Sequence, residues 1–292
     1  MLYVFCALYG EAKPFIEKYE LERDMSFSHY QVFGNADMIL TITGVGVLPA
    51  AMAVTEVCTR IPPVSCDYLL NAGICGSIDS DVTAGDVFLV NKISDDVTKK
   101  EYYPDIIYKT GIPEKALCAV TVPGYVEGAL TDMESSGVYA AGERFFSADR
   151  MVFLKAVSDM GDTENAPREL KERCADTLLE KAQVFINEAL EQSRRGIKDS
   201  LEQGKREVGE ADLKEETESL AEKIEKLAED LRLSATMNAG LKQLLRYMSI
   251  EGGDVRGLIE RIYEEEELPV KVKSKGKRIY DGIYETIFSH IR

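Results

Sequence analysis

Through roughly the first 165 residues, short runs dense in Val, Ile, Leu and aromatic side chains alternate with glycine-bearing turns and stretches of helical spacing. A run that is apolar on both faces cannot leave one of them in water, so such strands must lie in a sheet covered on both sides. Met1–Leu8 predicts a strand and Lys13–Glu20 a short helix. His29–Phe33 and Met38–Thr43 predict two strands joined by the turn pair Gly34-Asn35. After Gly44-Val45-Gly46, Pro49–Thr59 has helical spacing behind an opening proline. Asp67–Asn71, Asp86–Ile93, Leu117–Val122 and Met151–Val157 predict further strands, with a helix over Glu134–Arg144 and a long one from Ala166. Strands separated by helices define an α/β fold of stacked layers.

From Pro167 the texture changes, with no proline before Pro269 and charged residues crowding in. Leu213, Leu220, Ile224, Leu227 and Leu231 fall on the three-four spacing of a coiled-coil or helical-hairpin seam. Such a seam needs a partner, either its own hairpin mate or another chain. Gly196, Gly204 and Gly209 predict a break, so the chain divides into residues 1–195 and a helical extension over 196–292. Met237–Met248 and Val255–Tyr263 continue as helices separated by Gly252-Gly253. Near the end, the acidic run Glu264–Glu267 precedes a basic one, Val270 to Arg278. This basic segment reads either as a phosphate or acidic-partner contact or, preferred here, as an edge strand guarded by lysines.

With 51 acidic against 35 basic residues, the chain carries a formal charge of −16. That balance argues against a surface built to grip nucleic acid or anionic membrane. MLYVFCALYG has no basic leader, is stopped by Glu11 and is too short to span a bilayer. The cysteines, Cys6, Cys58, Cys66, Cys75, Cys118 and Cys174, have no framework spacing, so buried free thiols in a reducing cytoplasm are expected. His29 and His290 are the only histidines. A histidine metal cluster or a Ser/His/Asp triad is therefore not expected, no metal or other cofactor is expected, and acid–base work must fall to carboxylates.

Three motifs fall at strand ends: Cys6-Ala7-Leu8-Tyr9-Gly10-Glu11, Asn71-Ala72-Gly73-Ile74-Cys75-Gly76, and the pair Asp132-Met133-Glu134-Ser135 with Val157-Ser158-Asp159. Ligands of open α/β sheets bind at the carboxyl ends of strands. Each motif alone has a plain structural reading. Glycines after strands make turns, Glu134 can serve a helix start, Asp159 or Asp162 can cap the next helix, and Glu11 can lie on the surface.

Taken in order with Thr43-Gly44-Val45-Gly46, Ala84-Gly85-Asp86-Val87 and Lys155-Ala156-Val157-Ser158-Asp159, these pieces resemble the nucleoside phosphorylase and nucleosidase family. The nearest branch is the 5′-methylthioadenosine/S-adenosylhomocysteine nucleosidases. The resemblance covers about residues 1–190 and implies a three-layer αβα sandwich, a small-molecule nucleoside substrate of purine type, and a homo-oligomer. It implies cleavage of the N-glycosidic bond through an oxocarbenium-like transition state. Asp159 then matches the acid on the departing base, Glu11 the carboxylate that activates water, and Glu134 the group that holds the ribose hydroxyls. Met133 matches the residue packed on the sugar, and Gly46, Gly73, Ile74 and Ser158 line the substrate site.

Two departures from the family pattern bear on the reaction. Ile74 stands where a hydroxyl residue is usual, no arginine closely follows Glu11, and Arg60 is alone between Arg23 and Arg144. A phosphate dianion would lack bidentate partners, which favours water as nucleophile over a phosphate-dependent phosphorylase. The segment Ser94–Asp132 is also shorter than the family's base-recognition region. Tyr125 is its candidate for stacking on a base, and the C-terminal helices or a second subunit are candidates to complete the pocket. A third reading is a nucleoside sensor that has lost catalysis and works through its helical tail.

Overall fold

The computed structural model describes residues 1–107, 109–161, 167–207, 213–250 and 253–289. Its first strand, β1 (Leu2–Cys6), is buried along its whole length. Tyr3 and Phe5 join one apolar cluster while Leu2, Val4 and Cys6 join another, as the two-residue period of a central strand requires. β1 pairs in parallel with β4 (Met38–Ile42) on one side and with β5 (Tyr68–Gly76) on the other. Beyond β4, β3 (Gln31–Gly34) and β2 (Glu22–Asp24) add antiparallel. β5 pairs in parallel with β10 (Met151–Asp159).

The far side of the sheet curls. β10 pairs antiparallel with β6 (Val87–Asp95), which carries the short hairpin strand β7 (Glu101–Tyr102) and runs parallel to β8 (Glu114–Ala119). β8 pairs with β9 (Leu130–Asp132), and β9 returns to Gly76 at the end of β5. This closes a ring through β5, β10, β6, β8 and β9. β2, β7 and β9 have only two or three residues each, too short for a visible period in the sequence.

Helices cover both faces. α1 (Tyr9–Lys18) and the first half of α4 (Arg168–Glu207) bury Ala12, Phe15, Cys174, Leu178 and Phe185 against one face. α2 (Val47–Arg60) and α3 (Ser135–Gly142) bury Val54, Val57 and Val138 against the other. The result is the expected three-layer αβα sandwich. α1 starts at Tyr9 rather than Lys13 because the Glu11 side chain accepts the Leu8 N–H across the first turn, at 2.9 Å. α4 runs without interruption through Gly196 and Gly204, where a break was expected. A glycine costs a helix only about 1 kcal/mol, which does not end one that lacks proline. Gly209 and Gly252, like Asp162, lie outside the described residues.

The extension has its own core. α5 (Leu213–Asp230), α6 (Ala235–Ile250), α7 (Val255–Glu265) and α8 (Lys273–Ser289) enclose a third cluster of buried residues. Leu220, Ile224, Leu227 and Leu231 of the expected seam pack into it, so the seam finds a partner within the chain. The basic segment is not an edge strand. Val270 is buried, and Lys273 onward is helical because Ile279, Tyr280, Ile283 and Ile287 repeat at helical spacing into the same core. Lys275 pairs with Glu266 at 3.2 Å, and Lys277 donates to the Ser26 carbonyl at 3.3 Å.

The extension docks on the end of the sandwich where the parallel strands begin. The Gln243 amide donates to Asp67, just before β5, and the Tyr284 hydroxyl donates to the Thr59 carbonyl near the end of α2. Ala239 joins the cluster under α2. No helix of the described residues is long and apolar enough to cross a membrane.

Candidate active site

At the opposite end, where the parallel strands finish, four charged side chains are buried together: Glu11, Asp132, Glu134 and Lys155. Each is placed by a different element. Glu11 lies in the first turn of α1, with one carboxylate oxygen on the Leu8 N–H and the other on the Ile74 N–H, both at 2.9 Å. Burial pushes its carboxyl above the usual range, and the Ile74 and Leu8 N–H groups work against that. Ile74 therefore serves through its backbone, while its side chain packs on the α1–α4 face. A methyl group at Gly73 would stand 3.1 Å from Glu11 Oε1, so glycine leaves the carboxylate its place.

Glu134 stands at the position before α3, and its side chain turns from that helix to accept the Gly46 N–H at 2.9 Å. Gly46 holds φ at +115°, a backbone conformation that side chains rarely adopt, and it begins α2. Met133, half-buried, has its N–H 3.3 Å from the other Glu134 oxygen. Burial first, and then the neighbouring Asp132 charge, push Glu134 from 4.5 up to about 7.

The sequence motifs named Lys155 and Asp132 without a role, and the structure gives them one. Lys155 is 2% exposed and pairs with Asp132 at 2.8 Å. Burial opposes its charge, but Asp132, Glu134 and Glu11 outweigh that and hold the ammonium above the usual lysine range. Asp132 in turn accepts the Ser135 hydroxyl and backbone N–H. The signal available in the sequence was a lysine inside an otherwise apolar strand, which can be buried only opposite a carboxylate.

Asp159 lies apart from this cluster, at the rim. The β5–β10 ladder pairs Gly73 with Lys155 and Ile74 with Ala156, then shifts register at Ser158 to pair Gly76 with Asp159. The irregularity re-aims the end of β10. Asp159 thus sits two rungs, about 7 Å, beyond the Ile74 anchor of Glu11. Ser158 is buried. The half-exposed Asp159 accepts the Tyr125 hydroxyl at 2.5 Å and the Gly161 N–H at 3.0 Å. Tyr125 is thus engaged with Asp159 at the rim. The structure unites Glu11, Glu134, Met133, Gly46, Gly73 and Ile74 around one buried cluster, and places Ser158, Asp159 and Tyr125 along its rim.

Because Glu134 is raised, the folded chain binds its proton more tightly than the unfolded chain. The stabilisation is complete below about pH 4.5 and is lost as pH rises through about 7. Glu11 shifts in the same direction. The unfolding midpoint is expected to fall between pH 5 and 8, by an amount corresponding to about 3 kcal/mol for Glu134. A Glu134→Gln variant should flatten that slope when both are followed by thermal melts, and an unchanged slope would refute the assignment.

This layered, part-ringed sheet with carboxylates at its strand ends has the fold of the nucleoside phosphorylases and nucleosidases. Residues 2–124 match the model of the phosphorylase superfamily. A 5′-methylthioadenosine/S-adenosylhomocysteine nucleosidase from Neisseria meningitidis, solved with methylthio-immucillin-A, aligns with a TM-score of 0.55 at 17% identity, over 66% of this chain and 98% of its own. A mutant Helicobacter pylori nucleosidase with 5′-methylthioadenosine in its active site gives 0.54 at 14%, over 64% and 98%. The futalosine hydrolase of Helicobacter pylori gives 0.52 at 14%, over 64% and 97%. Those shares leave the extension outside the likeness. No curated protein sequence matches the chain.

Proposed function

We propose that this chain is a nucleosidase that hydrolyses the N-glycosidic bond of a purine-type nucleoside. The observation that carries this reading is the seating of Glu11 and Glu134 on the backbone N–H groups of Ile74 and Gly46, with Asp159 at the rim of the same cluster. In this reading water attacks the anomeric carbon of the sugar as the bond to the base breaks, and Glu11 takes the water's proton. The bonding pair leaves with the base, whose nitrogen takes a proton from Asp159. Glu134 holds the ribose hydroxyls, and its charge offsets the positive charge that develops on the sugar.

Water is favoured over phosphate by charge. Lys155 is already paired with Asp132, and it is the cation that the described residues bring to the cluster. A phosphate dianion placed there would face Glu11, Asp132 and Glu134 without a free donor of bidentate geometry. The test is base release from adenosine, inosine, methylthioadenosine and S-adenosylhomocysteine, each with and without phosphate. Release independent of phosphate is expected. Release that requires phosphate would replace hydrolysis by phosphorolysis, and release from none of the panel would remove the catalytic reading.

A further inference from the structure

Tyr125 has a seat of its own that the catalytic reading does not use. A methyl group at Gly76 would fall 2.7 Å from Tyr125 Cε1 and 3.7 Å from the Asp159 carbonyl. The ring therefore lies on the bare backbone at the end of β5, in space that only glycine leaves. On its other side, a methyl group at Gly161 would come within 3.9 Å of Tyr125 Cδ2. The hydroxyl at the tip of this ring reaches Asp159 Oδ2 at 2.5 Å, while the Gly161 N–H holds Oδ1. Both oxygens of Asp159 are thus taken.

Those two bonds differ in kind. The Gly161 N–H is two residues along the chain and forms a local turn around the carboxylate. Tyr125 reaches across from the connection between β8 and β9, a segment with neither helix nor strand, and the residue is 37% exposed. That segment is pinned behind Tyr125, where Asp79 accepts the Gly128 N–H at 2.7 Å and pairs with Lys115 at 2.9 Å. Gly128 itself holds φ at +80°.

We propose that Tyr125 is a specificity-determining plug. Its hydroxyl and ring occupy the two contacts, Asp159 and the Gly76 backbone, that an incoming nucleobase must take over. This deepens the nucleosidase reading and rests on it. The occupant that can replace both is a flat, heteroaromatic base with a ring nitrogen able to share a proton with a carboxyl group. A saturated or purely apolar ring would return nothing for the bond that Asp159 gave up to Tyr125. Purine bases meet the requirement. The plug makes the site selective by exchange, since each bond lost to Tyr125 must be returned by the base.

The experiment measures binding of free adenine and hypoxanthine to the full chain by calorimetry, comparing wild type with Tyr125→Phe and Gly76→Ala. Tyr125→Phe keeps the ring and removes the competing hydroxyl, and adenine or hypoxanthine is expected to bind about tenfold more tightly. Gly76→Ala fills the seat that the ring and the base would share, so it is expected to weaken binding of both bases when the folded fraction is matched by circular dichroism, and unchanged binding would show that the base does not use that seat. Equal or weaker binding by Tyr125→Phe overturns the plug and makes the tyrosine an ordinary recognition residue, with the nucleosidase reading intact. If neither base binds any of the three proteins, the purine site itself falls and the plug with it. In base-release assays the plug predicts a lower KM for Tyr125→Phe with kcat within about threefold, since the hydroxyl acts before the chemical step.

Discussion

Replacing Asp159 with asparagine is expected to lower base release by a factor on the order of 10² to 10⁴, the usual weight of a positioned general acid. The change is nearly isosteric: the amide oxygen can still accept the Gly161 N–H, and the amide NH2, in place of the other oxygen, can donate to the Tyr125 hydroxyl oxygen. Nucleoside affinity should therefore stay within a few-fold, and the loss should fall on kcat. An asparagine cannot pass a proton to a departing nitrogen. A ribosyl substrate whose leaving group needs no proton, such as a p-nitrophenyl riboside, separates the two possibilities. Its hydrolysis should be nearly the same in wild type and Asp159→Asn, because only the acid step has been removed. If the variant keeps a third or more of its activity on the purine nucleoside, or loses both substrates equally, Asp159 is a structural carboxylate and the acid must be sought elsewhere.

The parts of this site that were readable in the sequence are those whose physics is local. Glu11, Glu134 and Asp159 could be singled out as candidates because each falls at a strand-end motif and the motifs in order resemble the nucleosidase family, whereas each alone had a plain structural reading. The αβα layering was readable because β1, β5 and β10 are apolar on both faces. What escaped depends on pairing between distant segments. The role of Lys155 follows from its lying opposite Gly73 and beside Asp132, a relation set by strand register. The bond between Tyr125 and Asp159 joins residues 34 apart and depends on the space over Gly76. The basic run after Pro269 misled for a related reason. Alternating Val and Lys suggested a strand, whereas the apolar spacing from Ile279 onward, within a helical core, decided the outcome.

The same long-range view corrects the idea that the extension completes the pocket. α2 begins at the Gly46 N–H that seats Glu134, and it ends near the Thr59 carbonyl that receives Tyr284. At 1.5 Å per residue its 14 residues separate the two by about 20 Å. The helical extension therefore stands behind the sandwich, away from the end that holds Glu11, Glu134 and Asp159. Tyr284 meets the sandwich at the far end of α2 from the site, so changes there should act on stability before they act on base release.

Removing Lys155 should have the largest effect on the fold itself. Lys155→Met keeps the length and apolar stem of the side chain while deleting the charge that Asp132 faces at 2.8 Å. Asp132 is buried, and so are Glu11 and Glu134. Breaking a buried pair from one side leaves the partner charge uncompensated, at a cost of about 3–5 kcal/mol. The carboxylates can recover part of that only by taking up protons. Glu134 and Glu11 already bind protons more tightly in the folded chain, and loss of the Lys155 charge, which opposes this, raises them further, so more of the variant's stability is present at low pH and lost as pH rises. The gap between wild type and Lys155→Met in urea unfolding should accordingly be smaller at pH 5 than at pH 8, and Lys155→Arg, which keeps the charge, should close most of it at both. A gap of less than about 1 kcal/mol at pH 8 would mean that the cluster is already neutralised by its own protons. In that case Glu11 could not be the ionised base that the hydrolytic reading requires, so this unfolding experiment also bears on the chemistry.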